Sequence, residues 1–347
     1  MKAAVYHGIE DIRIEELPIP EIEEGEILLR VMSCAICGTD LRIYKHGHKK
    51  VNPPHIIGHE VAGIIESVGK GVTGYEEGER VLLVTEVSCN LCKWCLDGRK
   101  NLCAKMQAFG YYYPGGFAQF MKIPKEAVEQ ANLIPFPDTL SFEEASLIEP
   151  FSCCINGQEY LNIALGDKVV IVGAGPIGLM HAALAKSKGA KIVILVDISS
   201  SRLEMAKPLP IDFFVDASRE DPVKKVKEIT AGEGVDVAIV ACPSGQAQAE
   251  ALEMVGIRGR VSFFGGLPPE KSRITIDSNV IHYKEIGIFG AFASSNQHYY
   301  KALRVAASGN INLKKLITAS YPLGRIAEGF QLLSQGKAIK IVINPWE

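Results

Sequence analysis

Two rhythms of apolar and polar residues divide the chain. Up to about Leu147 the apolar runs are short and set off by Gly, Pro and Glu. Residues 26–31, 61–68, 80–84 and 117–123 read as strands, separated by clusters such as Gly69-Lys70-Gly71, Gly78-Glu79 and Pro135-Phe136-Pro137. That spacing predicts a β-rich, barrel-like domain with long loops. From about Gly166 the pattern becomes strand, helix, strand. Residues 168–172 and 191–196 are unbroken apolar runs, and 176–188 between them reads as a helix. Residues 235–240 and 260–264 add strands, spaced by helical stretches at 222–230 and 246–255, and a last parallel strand is expected around 286–291. Continuous apolar strands alternating with helices predict a doubly wound parallel sheet buried on both faces. The C-terminal residues return to the mixed texture, which brings the chain back to its first domain.

Composition narrows the function classes. A chain of 347 residues has room for two domains. A net charge of −3 gives no electrostatic reason to expect nucleic acid or a membrane as partner. Met1-Lys2-Ala3-Ala4-Val5-Tyr6 leads into acidic sequence without the apolar stretch of a secretion signal, and the apolar windows are strand-length. A cytoplasmic location is expected. There the nine cysteines read as metal ligands or packing rather than disulfides.

Gly173-Ala174-Gly175-Pro176-Ile177-Gly178 follows the first strand of the second rhythm and opens its first helix. Gly173 permits the turn, Gly175 lets the backbone approach a pyrophosphate, and Gly178 lets the helix pack on the strand. The helix N-terminus offers free N–H groups to the phosphates. The next strand ends on Asp197, a carboxylate suited to the ribose hydroxyls of NAD and repulsive to a 2′-phosphate. Arg202 nearby would tolerate NADP, but NAD is the favoured cofactor.

Cys89, Cys92, Cys95 and Cys103 form a C-x2-C-x2-C-x7-C run in loop-like sequence. Four thiolates this close can close a tetrahedron around a structural zinc. A ferredoxin-type cluster would continue with x3-C-P, which this chain lacks. A second set is dispersed: Cys37-Gly38-Thr39-Asp40, Gly58-His59-Glu60 and Glu149-Pro150. Thiolate, imidazole and carboxylate suit an open catalytic zinc. Each also has a plain structural reading, with Cys37 as core packing, His59 as a satisfied buried histidine and Glu149 as a surface acid.

Together with Gly115-Gly116-Phe117-Ala118, these motifs in this order resemble the zinc-dependent medium-chain alcohol dehydrogenases, in the branch of sorbitol (polyol) and L-threonine dehydrogenases. The resemblance covers essentially the whole chain. It implies an α/β architecture: a GroES-like β-rich catalytic domain at 1–149 and 288–347, and a Rossmann NAD-binding domain at 150–287. It implies two zinc ions per chain, the catalytic one on Cys37 and His59 with Glu60 or Glu149 as carboxylate partner. Thr39 would take the proton of the bound alcohol. Ile177, Asp197 and Arg202 would contact NAD, with Phe264, Gly265, Ile288 and Phe289 toward the nicotinamide.

The implied reaction is oxidation of a secondary alcohol, on a polyol, cyclitol or sugar derivative, to a ketone, with hydride passing to NAD. The partners expected are a small-molecule alcohol and further copies of the chain in a homodimer or homotetramer. One departure stands out. Related enzymes commonly carry histidine five residues after the zinc cysteine, where this chain has Arg42, which cannot shuttle a proton as imidazole does. His46 and His48 are the nearby alternatives. L-Threonine 3-dehydrogenase is the rival within the class. A zinc-free quinone or enoyl reductase and a non-enzymatic NAD-binding protein with structural zinc are the rivals outside it. The Tyr111-Tyr112-Tyr113 run before Gly115-Gly116 has two readings, as lining of a substrate cleft and, more plainly, as aromatic packing at the domain edge.

Overall fold

The computed structural model describes all 347 residues. It divides into two compact units, Met1–Ser152 with Ser294–Glu347, and Cys153–Ala293.

The first unit is built on a seven-stranded sheet. Its path runs Leu133–Pro135, Arg80–Leu83, Glu60–Val68, Ile27–Ala35, Lys340–Asn344 and Ile317–Pro322, with Phe120–Ile123 also paired to Ile27–Ala35. All pairs are antiparallel except the last two strands of the path. A three-stranded sheet led by Lys2–Gly8 accompanies it. Leu29, Val61, Phe117 and Phe330 lie in the core, and burial of such side chains supplies about 1.5–3 kcal/mol each. The register matters for the site. Ala35 pairs with Glu60 on one side and with Val342 on the other, so strands far apart in sequence flank one residue.

The second unit is a six-stranded parallel sheet in the order Phe213–Asp216, Ile192–Asp197, Lys168–Val172, Val235–Val240, Val255–Phe263, Gly287–Gly290. Val170, Ile194, Ala238 and Val261 are fully buried, as strands covered on both faces require. The helix Pro176–Ser187 begins with Gly175 as its cap and proline in its first turn, where the missing N–H costs nothing. Gly287 pairs with Arg260, so residues 288–293 stay with this unit and the return to the first comes at Ser294. The edge of Gly287–Gly290 away from Val255–Phe263 pairs with no other strand. No helix in the chain is long and apolar enough to cross a membrane.

Candidate active site

Cys37 caps the helix Gly38–His46, and its N–H donates to Asp40 Oδ2 at 2.8 Å. The same carboxylate, fully buried, brings Oδ1 to 3.3 Å from His59 Nδ1, an ion-pair contact. One aspartate thus holds the cysteine's backbone and stands beside the histidine's ring, where metal-binding imidazoles commonly keep a carboxylate. His59 follows Gly58, whose φ of +95° and crowding against Cys34 Sγ and Phe117 leave no room for a side chain. Glu60 opens the strand Glu60–Val68. Ligand atoms of Cys37, His59 and Glu60 all lie within 4.8 Å of one another.

That donor set fits a divalent ion. Two potential anions and an imidazole match the charge and softness of zinc. Burial works against a charge on His59, yet Asp40 and Cys37 outweigh it and raise its pKa well above the usual histidine value. A field that favours a proton there favours a divalent cation more.

Glu60 is shared with a residue the sequence did not single out. Lys340 is 2% exposed, and its Nζ donates to Glu60 Oε1 at 2.6 Å and to the carbonyl of Ile36 at 3.1 Å, with Glu60 Oε2 also in contact. Burial depresses the ammonium, but Glu60 and Cys37 more than offset this and leave its pKa raised. Glu149 lies outside the three-ligand cluster. Burial pushes it up to about 7, with His59 and Lys340 opposing and Glu60 adding. Glu86, equally unforeseen, is 6% exposed, and burial together with Glu149 pushes it up to about 8; the Tyr299 hydroxyl donates to it at 3.4 Å. Thr39 sits half-buried in the first turn of the helix that Cys37 caps. Arg42 is exposed on that helix and His46 is exposed at its end, whereas the half-buried His48 ring packs on Tyr111.

Cys89, Cys92, Cys95 and Cys103 converge as a second group. Sγ–Sγ separations of 3.9 Å (Cys89–Cys95) and 3.4 Å (Cys92–Cys95) approach the edge of about 3.8 Å that four 2.3 Å metal–sulfur bonds define. The backbone N–H groups of Leu91 and Cys92 pull the Cys89 thiol down to about 6, which favours the thiolate a metal needs.

In the second unit, Gly173 has φ +114°, and its N–H donates to Val196. Asp197 accepts from Ala174 N at 2.6 Å and from Ser199 N at 2.8 Å, so the acid at the strand end also pins the glycine turn. Arg202 is half-buried in the helix Ser200–Ala206, and Ile177 half-buried in the glycine-motif helix. Phe264 packs edge-on against His181 at 4.5 Å, and Phe289 stacks on Tyr160 at 6.5 Å. Burial holds the His181 imidazole neutral, its pKa down at about 3, with Lys188 adding to the effect. Gly265 lies tight against the Cys242 backbone, and Ile288 is 37% exposed.

The glycines give a paired prediction. A Cβ at Gly178 would lie 1.8 Å from the Gly173 carbonyl, whereas one at Gly175 meets no protein atom within 4 Å. Gly178→Ala is expected to cost about 2–3 kcal/mol of stability by pushing the helix off its strand. Gly175→Ala is expected to leave stability within about 1 kcal/mol but to weaken NADH at least about tenfold, because the open space faces the phosphate-binding turn. Denaturant unfolding and NADH fluorescence titration read the two effects separately.

Comparison with known proteins agrees with this geometry. Residues 23–138 match the family described as Alcohol dehydrogenase GroES-like domain, and residues 176–308 match Zinc-binding dehydrogenase. The chain is 36% identical to sorbitol dehydrogenase of Bacillus subtilis (strain 168), over 99% of this chain and 97% of that protein. It is 35% identical to L-threonine 3-dehydrogenase of Pyrococcus horikoshii, over 99% and 97%. Among solved structures, one described as a zinc-binding dehydrogenase from Sinorhizobium meliloti 1021 bound to NADP superposes with a TM-score of 0.90 at 28% identity, covering 99% of both chains. The fold, the motifs and these relatives together establish an oxidoreductase with a nicotinamide cofactor and zinc, and the chain belongs to the zinc-dependent medium-chain alcohol dehydrogenase family.

Proposed function

We propose that the chain oxidises a secondary alcohol of a neutral polyol, cyclitol or sugar derivative to the ketone, using NAD. Two zinc ions per chain would serve it, one held by Cys89, Cys92, Cys95 and Cys103, the other by Cys37 and His59 with Glu60 or Glu149. The observation that carries this reading is the convergence of Cys37 with His59 and Glu60, from two separate stretches of sequence, within 4.8 Å. A bound zinc supplies Lewis acidity that makes an alcohol hydroxyl easier to deprotonate, and the nicotinamide takes the hydride.

The chain's own residues do the rest. Asp40 stands beside His59, Lys340 opposes the burial that pushes the Glu60 carboxyl up, and Thr39, two residues on from Cys37, offers the hydroxyl that receives the substrate proton. Asp197, already anchored on the glycine turn, favours NAD through the ribose hydroxyls. The free thiols fit a reducing, cytoplasmic setting, and the open strand edge at Gly287–Gly290 fits a homodimer or homotetramer.

L-Threonine is the rival substrate, and the local charges weigh against it. Its carboxylate needs a cation, but Lys340 is taken by Glu60, and Asp40, Glu86 and Glu149 place carboxyl groups around the cluster. NADH and NADPH formation with inositols, acyclic polyols and L-threonine, before and after chelation and zinc restoration, tests the reading. Chelator-sensitive, NAD-dependent turnover of polyols is expected. Turnover of threonine alone would transfer the assignment to L-threonine 3-dehydrogenase.

A further inference from the structure

The three consecutive tyrosines go three ways. Tyr112 is 62% exposed, and Tyr113 donates to Gln107 Oε1 at 3.0 Å while packing on Phe109. Tyr111 turns inward. Its ring lies 5.8 Å from that of His59, and His48 packs edge-on against it at 5.4 Å, which restricts its rotation. The ring thus stands beside the Cys37, His59 and Glu60 cluster, with His59 on one flank and His48 on another. A tyrosine phenol is uncharged near neutral pH and able both to donate and to accept. The hydrogen bonds that occupy the hydroxyls of Tyr75, Tyr113 and Tyr299 have no counterpart at Tyr111.

We propose that Tyr111 is a specificity residue, whose hydroxyl binds the substrate hydroxyl on the carbon next to the reacting one. The inference rests on the dehydrogenase reading above and deepens it. With the reacting oxygen held where Cys37, His59 and Glu60 converge, a vicinal hydroxyl lies one carbon further out, facing the ring that stands beside His59. A site built to hydrogen-bond a substrate hydroxyl discriminates against analogues that lack it. Tyr111 thereby selects vicinal diols and polyols over simple secondary alcohols.

Tyr111→Phe removes one oxygen and keeps the packing on His48 and His59. In this variant kcat/KM for 2,3-butanediol is expected to fall about tenfold, mostly through KM, and that for 2-butanol by less than about twofold. A readout without turnover is the Kd of each alcohol, taken from the visible absorption of the cobalt-substituted protein. It should rise about tenfold for the diol and stay unchanged for the mono-alcohol. An unchanged diol-to-alcohol ratio, or a diol Kd unmoved by the substitution, overturns the assignment of Tyr111 while the dehydrogenase reading stands. Silence of the unsubstituted enzyme on both alcohols overturns that reading and this inference with it.

Discussion

With the two-zinc arrangement proposed above, Cys37→Ser is expected to remove one of the two ions from each chain and to lower kcat/KM for alcohol oxidation by about three orders of magnitude or more. Serine is nearly isosteric, so the helix cap and the Cys37 N–H bond to Asp40 at 2.8 Å should survive. Its hydroxyl, however, stays protonated near neutrality, so the donor set loses one of its two anionic ligands and its only soft one. The buried imidazole and carboxylate that remain make a weak site. The four-sulfur group is a separate segment of chain with its own ligands, and its ion should stay. Elemental analysis of purified protein should therefore read about one zinc per chain, with the unfolding transition little changed. Retention of both ions, or near-normal turnover in the one-zinc protein, would place the catalytic ligands elsewhere.

The two halves of the chain were not equally legible. In the second unit, strands covered on both faces must be apolar at every position, so residues 168–172 could be bounded from sequence without error. The next strand ends on Asp197 because that acid has left the sheet's covered interior to bind backbone amides at the helix turn. The first unit was harder. The strand read at 26–31 runs to Ala35, because Ser33, Cys34 and Ala35 are small, buried residues that carry little hydrophobic signal of their own. The second unit hid one boundary too: the strand read at 260–264 begins at Val255, since Arg258 and Gly259 interrupt its apolar pattern.

Site residues with a local signature, such as Cys37 in its cap or His59 after a positive-φ glycine, could be named. Residues delivered by long-range register could not. Lys340 lies at 2% exposure only because its strand and that of Glu60 flank the same strand, a relation no local window contains. A lysine in a strand usually reads as a solvent-facing position. Glu86 and Tyr299 also meet across 213 residues of sequence, a strand residue against one on the helix Asn296–Ala307, which no local window contains either. Tyr111 was visible but ambiguous, because three adjacent tyrosines carry no sign of which one turns inward.

Lys340→Met is the sharpest test of what that buried lysine does. Methionine matches the length of the lysine stem and can fill its apolar surroundings, so the loss of the charge dominates. In metal-depleted protein, Glu60 is left fully buried without its cation and the Ile36 carbonyl without a donor. Breaking a buried ion pair on one side costs about 3–5 kcal/mol, far more than the intact pair contributes. In the zinc-loaded protein the loss should be smaller, because the ion beside Glu60 supplies the missing positive charge. For the same reason Lys340→Met should bind zinc more tightly, as the carboxylate no longer divides its charge between metal and ammonium. The double variant Glu60→Gln with Lys340→Met removes both charges and should recover much of the single variant's loss. Denaturant unfolding of the three proteins, with and without chelator, measures each part. An equal loss in metal-free and zinc-loaded Lys340→Met would mean that Lys340 is packing and that Glu60 takes no part in holding the ion.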